Sequence, residues 1–308
     1  MKEVKVYCII VTYNAMKWVD KCLGSLRESS CPVIPVIIDN CSKDDTVTYI
    51  RENYPEAHLI VNSENKGFGQ ANNQGIEWAY KEGATHFFLL NQDAWVEKET
   101  LQNLLEIQEN NDFDIVSPIH LNGAGSKIDR GFQVLAINGS ADFTSDAFLN
   151  ELHDYYIVQN VNAAAWLMKT STILTIGGFD PLYFHYGEDT NYIQRLKYHH
   201  KRMAIIPTSI IYHDRGEHGN VEVYKKGLLK RMLFDNYADI NHPFLLPTVQ
   251  KSKLFFKIIF MVIESLLRLR FTISAFIVSD CIGFCHALPK ILRSRKTNKE
   301  VRPNWLSI

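Results

Sequence analysis

The opening third of the chain alternates between two hydrophobic periods, and that alternation constrains the fold more than any other feature. The β-rich runs VKVYCIIV, VIPVIID, HLIVN and HFFLLN are separated by longer stretches with helical spacing. Trp18, Val19, Cys22, Leu23 and Leu26 recur at helical intervals after the first run, and Ile76, Trp78, Ala79 and Tyr80 mark another helix before HFFLLN. This βαβα order predicts a parallel sheet covered by helices, whose ligands bind at the carboxyl ends of the strands.

Those ends are polar. The first strand runs out in IVTYN, the second in IIDN with CSKDDT behind it, and the fourth in LLNQDAWV. Asp39 and Asp93 each follow an apolar run, so each carboxylate emerges at the rim where a ligand sits. Asp44, Asp45 and Thr46 read as a helix start, because short polar and acidic side chains satisfy the free N–H groups there. Between these segments lies NKGFGQANNQG, residues 65–75. It contains glycines and amides but no GxGxxG, and no Walker A loop occurs, so the dinucleotide and P-loop readings lose most of their support while a parallel sheet that binds a nucleotide by other means stays open.

Past residue 110 the pattern becomes mixed and reads as an elaboration of the same domain. GGFDPLYFHYGEDTNY, residues 177–192, describes a loop that ends in a helix with Glu188 and Asp189 at its start. A helix N-terminus stabilises an ionised carboxylate. Asp189 is therefore a candidate general base for a hydroxyl nucleophile, with ordinary capping as the alternative. His213 follows another β-like run and emerges at a strand end, as a metal ligand or a structural imidazole. His199 and His200, beside Lys197, Lys201 and Arg202, read as a solvated helix terminus.

The balance of 33 Lys+Arg against 34 Asp+Glu gives no global basic field, so no nucleic-acid partner is expected. The N-terminal stretch has one short apolar run and no small-residue cleavage site, which predicts a cytoplasmic protein. Six cysteines without a CxxC pair or zinc spacing read as reduced thiols. From about residue 245 the composition turns strongly apolar, interrupted by Lys257, Glu264, Arg268, Arg270 and Asp280. Charges at those intervals disfavour a clean membrane span. They fit an amphipathic helical hairpin lying on a bilayer, capping the main domain, or forming a dimer interface. The expected division is a catalytic domain over 1–244 and an amphipathic helical region with a basic tail over 245–308.

Taken together and in this order, IVTYN, IIDNCSKDDT, NKGFGQANNQG, LLNQDAWV and GGFDPLYFHYGED resemble the motif set of glycosyltransferase family 2, especially its bacterial rhamnosyltransferase-like branch, over about residues 4–215. The resemblance implies an α/β GT-A fold, a Rossmann-like, mostly parallel sheet with flanking helices, here followed by a C-terminal helical segment. It implies inverting transfer from a UDP- or dTDP-sugar to a glycan or lipid-linked saccharide in surface polysaccharide synthesis. A divalent metal, Mg2+ or Mn2+, is expected on the diphosphate.

By the same resemblance, Thr12, Tyr13 and Asp39 line the nucleoside pocket, and Asn65, Lys66 and Gly67 lie along the donor groove. Asn91, Gln92 and Asp93 occupy the place of the family's DxD motif, with Asp93 on the metal and His213 as a further ligand. Asn91 stands where the family has an acid, so weaker metal binding is expected. Asp189 matches the catalytic base, with Glu188 and Trp166 on the acceptor side, a core Trp being the alternative for Trp166. Pro181 and Asn191 replace commoner acidic residues. Two other functions compete. A non-catalytic carbohydrate-binding module on the same fold is one. The other is a nucleotidyltransferase, which usually carries a Gly-rich basic N-terminal loop that IVTYNAMKW lacks.

Overall fold

The computed structural model describes residues 3–215 and 271–308, together with positions 234, 237–241, 256, 259, 260, 263, 264, 267 and 268. It contains two compact units, residues 1–216 with 301–308, and residues 217–300.

In the first unit the predicted runs become strands β1 (Val6–Thr12), β2 (Val33–Asp39), β3 (His58–Val61) and β4 (His86–Leu90), all mutually parallel in the order β3-β2-β1-β4. Strand side chains alternate between faces, and each face here has its own core. Tyr7 and Ile9 of β1 join Val36, Ile38, Phe87 and Leu89 in one layer. Val6, Cys8 and Ile10 join Ile37, Phe88 and Leu90 in the other. Burying one such side chain contributes about 1.5–3 kcal/mol.

Helix α1 (Val19–Arg27) buries the expected Val19, Cys22, Leu23 and Leu26. Helix α2 (Thr46–Asn53) begins where the acidic cluster predicted, with Asp44 Oδ1 accepting from the Thr46 N–H at 3.2 Å. Helix α3 (Phe68–Lys81) lies on the other face and puts Ala71, Ile76 and Ala79 into the core.

The second half of the sheet is mixed, where a mostly parallel sheet was expected. Between β5 (Ala94–Val96) and β6 (Ile115–Asn122) runs helix α4 (Thr100–Asn111). Helices α5 (Arg130–Leu135) and α6 (Ala141–Leu149) then lead to β7 (Tyr156–Ile157) and β8 (Ala165–Lys169). Strand β8 runs antiparallel between β4 and β6. After helices α7 (Thr170–Ile176) and α8 (Glu188–Tyr198), β9 (Met203–His213) pairs parallel with β6 and antiparallel with β5 and β7. The strand–helix–strand alternation that enforces parallel crossovers stops near residue 110, and the parallel arrangement weakens there.

Residues 301–308 pack in this first unit. Leu306 and Ile308 join the layer that holds α3, and the Ser307 N–H donates to Glu77 Oε1 at 2.8 Å.

In the second unit, the structure describes one long helix, α9 (Phe271–Asn298). The earlier half of the hairpin expected over 245–270 lies largely outside the described residues.

Candidate active site

Hydrogen bonds between side chains and backbone stitch the carboxyl ends of β1, β2, β4 and β9 into one rim. Asp39 is fully buried, and its Oδ1 accepts from Thr12 Oγ1 at 3.0 Å. Its Oδ2 accepts from the Ser42 N–H at 2.9 Å. The amide of Gln92 pairs with the Tyr13 backbone in both directions: Tyr13 N–H donates to Oε1 at 2.7 Å, and Nε2 donates to the Tyr13 carbonyl at 3.3 Å. Tyr13 itself is exposed at 46%, so its ring lies open at the rim while its backbone is fixed.

The NQD segment meets β9 through the pairing of Ala94 with His213. That register sets His213 Nε2 3.4 Å from Asp93 Oδ1 and 3.4 Å from Asn91 Nδ2. The Asp214 N–H donates to the Asp93 carbonyl at 2.8 Å, while the Asp214 carboxylate takes Lys17 at 2.8 Å and the Trp18 indole at 2.9 Å. The Lys17 and Trp18 hydrogen bonds hold the Asp214 carboxyl below its usual range.

A second group of amides holds the segment Asn65 to Gly67. Asn40 Nδ2 donates to Asn65 Oδ1 at 3.0 Å and to the Gly67 carbonyl at 3.2 Å, while Asn40 Oδ1 accepts from the Lys66 N–H at 3.1 Å. Gly67 has φ +80°, and a side chain there would collide with the Phe184 carbonyl, so only glycine fits. Two residues on, a Cβ at Gly69 would approach Phe179 Cβ at 2.9 Å and Glu188 Cβ at 3.6 Å. The start of α3 therefore lies directly against the loop that leads to Asp189. Asn73, from the same motif, clamps that loop: Phe179 N–H donates to Oδ1 at 2.7 Å, and Nδ2 donates to the Phe179 carbonyl at 2.8 Å.

Glu188 and Asp189 occupy the first turn of α8, after Gly187 as N-cap. Asp189 is half-buried, and its Oδ1 accepts from the Thr190 N–H at 2.7 Å. Glu188 is buried at 6% exposure. Trp166 is fully buried beside Phe179 and Tyr192, with ring centroids 6.4 and 5.8 Å away. Of the two readings for Trp166, it occupies the core one, behind the loop.

Sequence reasoning did not single out Asn40, Asn73, Asp129 or Arg195. Arg195 is fully buried and donates to the carbonyls of Ile176 at 3.0 Å and Gly178 at 2.7 Å and to Asn191 Oδ1 at 3.1 Å. A charged residue in a helix three turns long carries no mark of such a role in sequence.

The donor set near β9 suits a hard cation. Asp93 and His213 converge, and the Oδ1 of Asn91 is buried with no hydrogen-bond partner. Among the described residues no three His, Cys, Asp or Glu side chains gather as a metal cage. Mg2+ is commonly held by one or two protein ligands plus waters and substrate phosphates rather than by such a cage. The residues present fit that pattern.

The sheet order and the joined strand ends define a GT-A fold. It is shared with the UDP complex of S. aureus TarS 1-349, at TM-score 0.55 and 16% identity over 79% of this chain and 67% of that one. GalNAc-T7, crystallised with UDP, GalNAc and Mn2+, superposes at TM-score 0.56 and 16% identity over 77% of this chain and 50% of that one. Residues 7–146, a little under half of the chain, match the family model described as Glycosyl transferase family 2. The match ends before Asp189 and His213.

Among curated proteins, the dTDP-rhamnosyl transferase RfbF of Shigella flexneri is 28% identical over 117 residues, 38% of each chain. The low-salt glycan biosynthesis hexosyltransferase Agl10 of Haloferax volcanii is 22% identical over 163 residues, 53% of this chain and 52% of that one. The chain thus spans between about a third and a half of the length of these relatives.

Proposed function

We propose that this chain transfers a sugar from a UDP- or dTDP-linked donor to a hydroxyl of a glycan or lipid-linked saccharide, inverting the anomeric centre. The observation that carries the reading is the contact between two motifs far apart in sequence. The Gly67–Gly69 turn packs under Phe184 and against Phe179 and Glu188, which brings the donor-groove motif and the base-bearing loop together.

Each residue has a task in this mechanism. Asp39 retains acceptor capacity on Oδ2, a carboxylate having about four lone-pair sites, and takes a hydrogen bond from the base or ribose. Thr12 and the Tyr13–Gln92 pair shape the nucleoside pocket, and Asn65, Lys66 and Gly67 border the donor. Asp93 and His213, with Asn91 beside them, would hold the divalent cation, which would neutralise charge on the diphosphate. Asp189 accepts the proton of the acceptor hydroxyl. The freed oxygen bonds to the anomeric carbon as the bond from that carbon to the diphosphate oxygen breaks. The electron pair leaves with the nucleoside diphosphate, and a single displacement inverts configuration. Thr190 fixes Oδ1 of Asp189 and leaves Oδ2 as the proton acceptor, with Glu188 on the acceptor side.

The second unit supports a membrane-facing role at the cytoplasmic face. Of the seven buried residues of α9, five are polar: Ser274, Asp280, Ser294, Arg295 and Asn298. Its exposed positions include Phe271, Val278, Ile282 and Leu292. A helix with polar residues inside and apolar residues outside matches a lipid environment better than water. The basic residues Lys290, Arg293, Lys296 and Lys299 near its end suit anionic headgroups.

The deciding experiment is thermal stabilisation by UDP, dTDP, GDP and CMP, each with Mn2+ or EDTA. A ligand at 100 times its Kd adds about 2.7 kcal/mol to stability. Stabilisation by one diphosphate in Mn2+ supports the donor class and the metal ligands together. No response to any nucleotide overturns the reading in favour of a non-catalytic module.

A further inference from the structure

We propose that Asp129 is a positioning residue for His213, holding the imidazole with its hydrogen on Nδ1 so that the Nε2 lone pair faces Asp93. This deepens the role given to His213 above and rests on that role for its consequence, though not for its test.

The placement follows from the hairpin after β6. In the β6–β9 register Asn122 sits opposite His213. The chain turns back through an Asn122–Lys127 backbone bond at 2.9 Å and a Leu121–Ile128 bridge, and the Asp129 N–H donates to the His120 carbonyl at 2.8 Å. This return sets Asp129 beneath the imidazole. Asp129 is 4% exposed and His213 3%, so both are shut away from bulk water.

Asp129 divides its carboxylate between two tasks. Oδ1 caps α5, accepting from the Phe132 N–H at 2.9 Å. Oδ2 lies 3.7 Å from His213 Nδ1 and 3.9 Å from Arg215 Nε. His213 Nδ1 is buried and has no hydrogen-bond partner. The other ring nitrogen faces Asp93 Oδ1 and Asn91 Nδ2. Which nitrogen of a ligating imidazole carries the hydrogen is set by the partner of the other one, commonly a carboxylate. Asp129 is the carboxylate nearest Nδ1, and such contacts are often long in the free protein and tighten when the site fills.

The substitution Asp129→Asn gives a sharp test. The Phe132 N–H holds the new side-chain oxygen as acceptor, so the NH2 group faces Nδ1. A donor there forces the imidazole hydrogen onto Nε2, the same tautomer inversion that an Asp-to-Asn change behind a catalytic histidine produces. Asp129→Ser keeps a capping oxygen and withdraws the group from the ring, imposing neither tautomer.

The tautomer of His213 is read by 15N NMR on histidine-labelled, metal-free protein. Mn2+ affinity is read by electron paramagnetic resonance, and UDP binding in EDTA reports on the donor pocket alone. The expected result is Nδ1–H in the wild type and Nε2–H in Asp129→Asn. Mn2+ affinity should fall 10–100-fold in Asp129→Asn and less in Asp129→Ser, with UDP binding in EDTA unchanged. Nε2–H in the wild type, or the same tautomer in wild type and Asp129→Asn, overturns the proposal. If the wild type binds no Mn2+, the metal part of the proposed function fails, and the two tautomers still decide the role of Asp129.

Discussion

Gly177 and Asn304 meet backbone to backbone. Gly177 has φ +87°, a side chain there would run into the Asn304 backbone, and the neighbouring Gly178 N–H donates to the Asn304 carbonyl at 2.8 Å. The paired glycines that open the loop to Asp189 thus make room for residues 301–308. Gly177→Ala is expected to destabilise the protein by about 1–3 kcal/mol, the range for a side chain held in an unfavourable backbone region. Urea denaturation checks it. A midpoint that does not move, at unchanged slope, would show that the glycines tolerate a side chain and the tail packing is loose.

Arg195 holds the same loop from beneath. Its guanidinium is fully buried and donates to two carbonyls and one amide oxygen, while burial pushes its pKa down, offset in part by Tyr192 and Asp180. Arg195→Met leaves those acceptors buried without donors, each unsatisfied group costing about 1–3 kcal/mol. A loss of at least about 3 kcal/mol is expected, measured by equilibrium unfolding, with Arg195→Lys intermediate. A loss below about 1 kcal/mol for Met would mean the carbonyls find other partners.

These two contacts also mark where sequence reading runs out. The strand ends were legible because Val6–Thr12 and its parallel neighbours alternate at period two between two cores, and α1 because Val19, Cys22, Leu23 and Leu26 form one helical stripe. Period and spacing put Asp93 and His213 each at a strand end, and only the resemblance to the family's motif order suggested that the two meet, as they do at 3.4 Å. The antiparallel insertion of β8 was not legible, since the stretch over 123–164 carries no sustained period. Neither was the return of VRPNWLSI, too short to show one. Asn73, Arg195 and Asp129 act through distant backbone atoms or a single ring nitrogen, and sequence spacing does not record such partners.

Stability should fall as pH drops below about 6.5, through the burial of His120. Its imidazole is buried, and desolvation, then His213 and Arg215, push its pKa well below the ordinary imidazole value of 6.5. The unfolded chain binds a proton that the folded one refuses, so this contribution is present in full above the unfolded pKa and is lost as pH falls below it. Burial lowers the pKa of His86 in the same direction, with Glu109 opposing. Unfolding free energy measured from pH 7.5 to 5 should decline, and His120→Gln should flatten the slope. An unchanged slope in that variant would remove His120 as the source.

Asp189→Asn separates chemistry from binding. Removing a general base typically lowers turnover 10²–10⁴-fold, while Thr12, Asp39 and Gln92, the residues proposed to shape the nucleotide pocket, are untouched. Sugar transfer or donor hydrolysis should fall by that factor, with nucleotide stabilisation of the folded protein unchanged. Equal activity in variant and wild type would move the base elsewhere on the rim.

Membrane contact through α9 is tested by flotation of the intact protein with vesicles. The helix has 28 residues, mean hydropathy 1.6 over its most apolar window and only 17% of that window buried, while its buried face carries Asp280 and Arg295. Apolar insertion should survive salt, whereas attraction of the basic end to anionic headgroups falls off within a Debye length, about 10 Å at 0.1 M. The expected result is strong flotation with vesicles containing anionic lipid, weakened but not abolished at 0.5 M salt. Replacing Val278 and Ile282 by Asp should abolish it without changing nucleotide stabilisation. Absence of flotation, with a concentration-dependent dimer in its place, would assign the exposed apolar face to a second copy of the chain.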